Sequence, residues 1–440
     1  MAKRIIVFSS DATVAEDMEA IRHMPNFQKY LAGGSEFKNG MRTIYPSVTY
    51  PIHVSIATGC YAGKHQVTSN FGFTTGDKND TWLFHHENIK AEDIFTVAKR
   101  AGLKTAAVGW PVTGCHPDID YLLDEYWMPE PGDTLRSSFT RMGTSEEVMQ
   151  IAEARANLLN PDYVLGGKKN FMAWPQVDDF WIACACDIIR KFKPEVVFVH
   201  TGTFDGARHK YGVFGPHLDM ARANLDRYIG ELMQACEDAG VAEETNLFLT
   251  SDHGQRDICR AINLNVKLAD AGLVDVDESG KVTDWRAFCF SNAMSALVCL
   301  KDPEDETLKE QVYQLLRDLQ EEGVFGIGRI FTAEEAREEE NLWGDFSFVI
   351  ESDGYTSFGD KASRPLVQNF DISDYRLGRA THGYIPDLGP QPLFLAKGPD
   401  IKENVVLDHG NIVDEGPTFA KLLGLEMKEA DGKPIDEMLK

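Results

Sequence analysis

The chain has 440 residues, of which 43% are hydrophobic and 26% charged, the balance of a globular protein able to bury a full core, which excludes a disordered or low-complexity chain. Its 44 basic side chains stand against 69 acidic ones, and the formal charge of -25 repels nucleic-acid backbones and anionic membrane surfaces. Neither a nucleic-acid polymer nor a membrane is expected as a partner, and any anionic ligand needs a local positive centre that bound cations, rather than any basic run, would supply.

The opening residues MAKRIIVFSSD enter a strand directly, from Arg4 to Ser10, without a basic leader and small-residue cleavage site. No apolar run approaches the ~18 residues of a membrane-spanning helix. A cytoplasmic location is expected on those grounds. Further strands are expected at Lys104 to Gly109, Glu195 to His200 and Asn246 to Ser251, alternating with amphipathic helices, the pattern of an α/β fold with a largely parallel sheet. The length alone suggests more than one domain, and a single sheet with a long insertion accommodates it.

Between the last two strands Leu218, Ala221, Leu225, Ile229, Leu232 and Cys236 recur at helical spacing, and Ala239-Gly240 supplies a stop. Cys184 and Cys186 form only a CxC in an apolar helix and, like the other cysteines, read as reduced structural thiols. From 263 to 379 the character shifts to an acidic helix (DETLKEQVYQLLRDLQEEG), a charged run (TAEEAREEEN) read as a solvated helix face, and a strand at Ser347 to Glu351. This stretch is read as an α+β cap inserted into a core of residues 1–262 and 380–440.

Residues with chemistry gather where strands end, the edge at which sites assemble in open α/β sheets. Asp11 follows the first strand, where it also suits a helix N-cap. Asp205 and His209 stand four apart in TFDGARHKYG, close enough on a helix to hold one cation. Asp252 and His253 follow a strand in NLFLTSDHG, where Gly254 permits a turn, and His382 lies in ATHGYIP. DHG recurs at Asp408-His409-Gly410; the first copy ranks higher because its preceding apolar run is longer. Thr49, before Tyr50-Pro51, falls at or near a helix N-cap, where free amides and the positive helix end would face a phosphate. Its hydroxyl is a poor nucleophile unless a base or metal activates it.

PSVTYPIH followed by ATGCYAGKHQV resembles the TxPxH and TG-Y-P-x-x-H-G segments of nucleotide pyrophosphatase/phosphodiesterases, a branch of the alkaline phosphatase superfamily. The strand-Asp, D-x-x-x-H, S-D-H-G and T-H-G-Y elements follow in that family's order from Asp11 to His382, and GPTFAKLLGLEMKEADGKPIDEML resembles its C-terminal segment. The resemblance implies an alkaline-phosphatase-like core and two divalent ions, most often zinc. One ion would be held by Asp205, His209 and His382, the other by Asp11, Asp252, His253 and the Thr49 oxygen. It implies that Thr49 attacks phosphorus to give a covalent phosphothreonine, that Asn70 binds a phosphoryl oxygen, and that Tyr50 can form one wall for a base. Against three aspartates the two cations leave a net positive site.

The implied substrates are small phosphate diesters or anhydrides. Phosphonoacetate hydrolases and other phosphonate or phosphomonoester hydrolases of the superfamily are the rival class, and a noncatalytic metal-binding relative is the alternative to an enzyme. A sulfatase is excluded because Cys60-Tyr61-Ala62-Gly63-Lys64 lacks the CxPxR context, and phosphoglycerate mutases use serine. Two positions depart from the family. Ala12 stands where glycine is usual, and His200 stands five positions before Asp205, where many nucleotide-cleaving members carry an aromatic ring.

Overall fold

The run RIIVFSS lies at the centre of an eight-stranded sheet in a computed structural model that describes residues 3–76, 78–126, 132–159 and 176–440. The strands are β1 (Arg4–Ser10), β2 (Ser35–Phe37), β3 (Thr105–Val108), β4 (Tyr121–Leu123), β5 (Val196–Thr201), β6 (Thr245–Thr250), β7 (Phe394–Lys397) and β8 (Val406–Leu407). They lie side by side as β8-β2-β7-β6-β1-β5-β3-β4. All neighbours are parallel except that β7 runs antiparallel to β6 and β2. The four strands expected here from the sequence form the contiguous run β6-β1-β5-β3. The short edge strands and β7 carry too few residues for a periodic signal to show.

Both faces of the sheet are covered, which is why β1, β5 and β6 read as continuous apolar runs rather than alternating ones. Ile6, Phe8, Val197 and Leu249 pack on one side against helices α2 (Gln176–Phe192) and α4 (Asp219–Ala239). Ile5, Val7, Phe198 and Phe248 pack on the other against α1 (Thr49–Thr58) and α7 (Glu415–Leu422). Between them in sequence stand α3 (Thr203–Tyr211), α5 (Glu306–Glu322) and α6 (Ala333–Glu340). Along α4, Ala221, Leu225, Ile229, Leu232 and Cys236 are all buried, and Gly240, at φ 71°, ends the helix. Each large side chain of that stripe contributes about 1.5–3 kcal/mol of burial. Cys184 and Cys186 are buried in α2 as unpaired thiols.

The inserted region builds an antiparallel sheet in the order Ala287–Asn292, Ser295–Leu300, Phe348–Ser352, Ile327–Thr332, flanked by α5 and α6. Asp305 caps α5 by accepting from the Leu308 amide, and Leu308, Val312, Leu316 and Leu319 form its buried stripe. In α6 the acidic face is solvated, but Ala336 and Glu340 point inward, and Glu340 pairs with Arg42 of the main body at 3.0 Å. The cap is joined firmly to that body. Arg260–Ile262, on the core side of the expected boundary at 263, pairs with Thr356–Phe358 and Val367–Gln368. Val7, Phe290 and Val312 also belong to one hydrophobic cluster. Among the described residues no helix is long and apolar enough to cross a membrane.

Candidate active site

The strand order β6-β1-β5 places three carboxyl ends side by side, and the chemistry gathers there. Asp11 follows β1, Asp252 and His253 follow β6, and α3, carrying Asp205 and His209, starts two residues after β5. His382 comes in from the turn after Ala380–Thr381, which pairs with Arg256–Asp257 just beyond His253. Asp11 caps no helix, because the next helical turn begins only at Ala15 behind Val14. The residue after it, Ala12, sits at φ 55°, the left-handed conformation that a glycine adopts without strain and an alanine reaches at a cost of about 1–2 kcal/mol. Two hydrogen bonds hold Ala12 there. Its amide donates to Asp252 Oδ1 at 3.0 Å, and buried Arg208 donates to its carbonyl.

All seven expected ligand positions meet. Asp205 Oδ1 lies 3.0 Å from His209 Nε2 and 4.0 Å from His382 Nε2. His253 Nε2 lies 3.5 Å from Asp11 Oδ1, 3.2 Å from Asp252 Oδ2 and 3.2 Å from Thr49 Oγ1. Ligand atoms of Asp205, His209 and His382 all fall within 4.8 Å of one another, as do those of Asp11, Asp205 and His253. Asp205 therefore stands between the two groups. Each of these residues is at most 9% exposed.

The donor set fits divalent cations. Asp11 Oδ1, Asp252 Oδ2 and His209 Nε2 are buried and lack hydrogen-bond partners; the 3.0 Å approach of His209 to Asp205 does not have hydrogen-bond alignment. Buried polar atoms left this way call for water, an ion or a catalytic role to serve them. Each histidine commits Nδ1 to a backbone carbonyl, His209 to Ala380 at 2.7 Å, His382 to Ser47 at 3.0 Å and His253 to Gly254 at 3.2 Å. That tautomer turns an unprotonated Nε2 toward the site, as in histidines that ligate metals. Burial pushes His253 down to about 3 and His382 well below its ordinary value, so both remain neutral. Burial and the charges of Asp252 and Asp205 raise Asp11 well above the usual carboxylate range, whereas His209 overcomes burial to hold Asp205 below it. Three carboxylates in one dry corner need positive charge between them.

His86, Asp93 and His116 also converge elsewhere in the molecule. There the chemistry differs. His116 Nδ1 accepts from the Asp118 amide at 3.0 Å, so Nε2 carries the proton and donates to Asp93 Oδ2 at 2.8 Å. Asp93 also caps the helix Ile94–Arg100 through the Thr96 amide. This group is a satisfied hydrogen-bond network rather than a set of open lone pairs.

Thr49 is the first residue of α1, with Val48 as N-cap, and its hydroxyl faces His253 instead of capping the helix. The expectation of several free amides here is corrected. The Tyr50 amide donates to Asn70 Oδ1 at 2.8 Å, Pro51 has no N–H, and the Ile52 amide is bonded to Val48. The same bond fixes Asn70 with its Nδ2 as the end left to donate. His53 donates to the Thr49 carbonyl at 2.8 Å and contacts Ser9 Oγ at 2.9 Å, fixing the start of the helix. The proposed wall of Tyr50 is also corrected: its ring is fully buried, packed against Trp82 at 5.2 Å and Phe84 at 6.3 Å, and has no open face for a base.

Tyr375 and Asp178 carried no sequence signal, and His200 stood out in the sequence only as a departure from the family. Tyr375 stacks on His382 at 5.1 Å and 5°, and His382 stacks in turn on His253 at 3.8 Å. The Asp178 carboxylate of α2 accepts from the Gly202 and Thr203 amides at 3.0 and 2.9 Å, capping the helix that carries Asp205 and His209. His200, at the end of β5, contacts Asp11 Oδ2 at 3.2 Å. Gly254 is needed for a different reason than its expected turn, since a Cβ there would meet the Pro390 carbonyl oxygen at 2.3 Å. Asp408 and His409, the second DHG, are well exposed and far from this edge in environment, with Asp408 bonded to Asn39.

The model of the type I phosphodiesterase / nucleotide pyrophosphatase family matches residues 5–363. Among curated relatives, mouse (Mus musculus) ectonucleotide pyrophosphatase/phosphodiesterase family member 1 is 24% identical over 285 residues, 62% of this chain and 26% of the relative. Venom phosphodiesterase 2 of Crotalus adamanteus is 24% identical over 273 residues, 58% of this chain and 27% of the relative. The chain thus matches about a quarter of each relative's length. The solved structure of murine ectonucleotide pyrophosphatase/phosphodiesterase 5 matches with a TM-score of 0.67 and 19% identity, covering 100% of both chains. An inactive form of that mouse protein in complex with AMP matches at 0.67 and 18%, again over the whole of both chains. These likenesses show the fold expected for an alkaline-phosphatase-like core.

Proposed function

The chain belongs to the type I phosphodiesterase / nucleotide pyrophosphatase family, and from that premise we propose that it is a two-metal hydrolase of small nucleotide-like phosphate diesters or anhydrides, acting through a covalent phosphothreonine. The observation that carries this reading is the meeting of three unpartnered, buried ligand atoms, on Asp11, Asp252 and His209, at the strand edge where Thr49 Oγ1 also points. The mixed carboxylate and imidazole donors suit zinc.

Asp205, His209 and His382 would hold one cation, and Asp11, Asp252, His253 and the Thr49 oxygen the other. The bound ions supply the charge that makes a threonine hydroxyl acidic and stabilises the attacking and leaving oxygens. Thr49 Oγ1 gives up its proton and attacks phosphorus in line, so that the Thr49 O–P bond forms as the bond to the leaving group breaks. Water then attacks phosphorus from the vacated side, the Thr49 O–P bond breaks, and the hydroxyl regains a proton. Asn70, its carbonyl end fixed by the Tyr50 amide, presents Nδ2 to a phosphoryl oxygen, and its preorganised dipole costs no rearrangement during reaction. The nucleotide preference is drawn from the family's description and from the AMP complex of the mouse protein.

A panel scored by kcat/KM with zinc-loaded protein tests the reading: bis-p-nitrophenyl phosphate, a dinucleotide, p-nitrophenyl phosphate and phosphonoacetate. Preference for the diester or dinucleotide is expected. Preference for phosphonoacetate or the monoester would assign the chain to another branch of the chemistry, and protein that binds zinc but turns over none of the four would leave a noncatalytic relative.

A further inference from the structure

Resting on that two-metal reading, we propose that His200 and Glu125 are positioning residues that hold Asp11 in its ligand orientation. A carboxylate that binds an ion through one oxygen needs its other oxygen anchored, or rotation exchanges the two. Asp252 meets the requirement through Ala12, whose amide takes Oδ1 and leaves Oδ2 open. Asp11 meets it through His200, whose Nε2 lies 3.2 Å from Oδ2 while Oδ1 stays open at 3.5 Å from His253.

His200 has no freedom to release that grip. Its Nδ1 lies 3.1 Å from the Gly109 carbonyl and 3.3 Å from Glu125 Oε1, and the His53 ring stands edge-on at 4.4 Å. Glu125 is buried beside His200. A polar chain thus runs from Glu125 through His200 to Asp11. It explains why a ring with two nitrogens stands at 200. A phenyl or phenol ring there has no nitrogens to join Glu125 to Asp11.

The experiment is an equilibrium titration of the metal-free full chain with zinc against a chromophoric chelator, for wild type, His200→Phe, His200→Gln and Glu125→Gln, with thermal unfolding of each metal-free form alongside. Outer hydrogen-bond partners of metal ligands typically contribute 10–100-fold to affinity. His200→Phe is expected to weaken one of the two ions by 10–100-fold and spare the other, His200→Gln to recover part of the loss, and Glu125→Gln to weaken the same ion less. Affinities within twofold of wild type for both ions in Glu125→Gln and in His200→Phe overturn the proposal, as does equal weakening of both ions. Wild-type protein that binds no zinc removes the two-metal reading itself, a result distinct from a wild type that binds two ions and variants that bind as well.

Discussion

Replacing Gly383 by alanine tests how tightly the cap and the metal ligands are bound together. Gly383 follows His382 at φ 93°, and a Cβ there would lie 1.9 Å from the Asn292 carbonyl oxygen at the tip of the hairpin Ala287–Asn292 and Ser295–Leu300. The obstacle is backbone, so no side-chain rotation relieves it. Two costs add: about 1–2 kcal/mol for the left-handed conformation and roughly 1–3 kcal/mol for the forced displacement. The hydrogen bond from the Met294 amide to the His382 carbonyl, 3.0 Å, spans the same gap, and its loss adds about 1 kcal/mol. A destabilisation of about 3–6 kcal/mol is expected, out of the ~5–15 kcal/mol typical of a folded domain. Urea unfolding of the metal-free protein reads the stability change, and a zinc titration reads the displacement of His382, which is expected to weaken the ion held with Asp205 and His209. A variant within 1 kcal/mol of wild type with both zinc affinities intact would refute this account of the hairpin.

Thr49→Ala is expected to abolish turnover of a diester while metal content, measured by atomic emission, stays near wild type; undiminished turnover would remove the nucleophile. Ala12→Gly keeps the amide that binds Asp252 and relieves the left-handed strain, so its unfolding free energy is expected to equal or exceed wild type by up to about 1 kcal/mol, read by urea denaturation. Burial raises Asp178 from 3.8 to about 6 in spite of its bonds to Thr203 and Gly202. Since the folded state holds that proton more tightly, the stability it contributes is full below about pH 4 and falls as pH rises through 6. Asp178→Asn, which cannot ionise, is expected to flatten that slope, worth of order 2–3 kcal/mol, in unfolding curves taken from pH 4 to 7; an unchanged slope would assign it to other groups.

The centre of the sheet was legible because buried parallel strands need continuous apolar runs, and RIIVFSS, EVVFVH and NLFLTS are such runs. Some of the proposed ligands were legible for a related reason, as Asp11 and the pair Asp252-His253 directly follow such runs. What the sequence could not show is non-local. The ring of Tyr50 is sealed by Trp82 and Phe84, over thirty residues away, so its burial has no local signature. His200 stood out in the sequence only as a departure from the family, and its contacts with Asp11 and Glu125 on either side come from the fold. Asn70 was reached only through family resemblance, because spacing from Thr49 says nothing about the Asn70–Tyr50 bond, whereas the first DHG was favoured over the second by its longer apolar run as well as by that resemblance. The first-turn amides of α1 were misjudged because Asn70, outside the helix, takes one of them.

The two ends of the cap differ in how much variation they tolerate. The loop from Lys301 to Glu304 and the helix end at Glu321–Val324 lie in solvent. Lengthening them, or fusing another module there, leaves the catalytic edge undisturbed. A residue added within the turn between Asn292 and Ser295 instead shifts the pairing of the hairpin and drags on the loop that presents His382. Relatives of this chain are accordingly expected to diverge in length at the outer rim of the cap and to keep that inner turn at constant length.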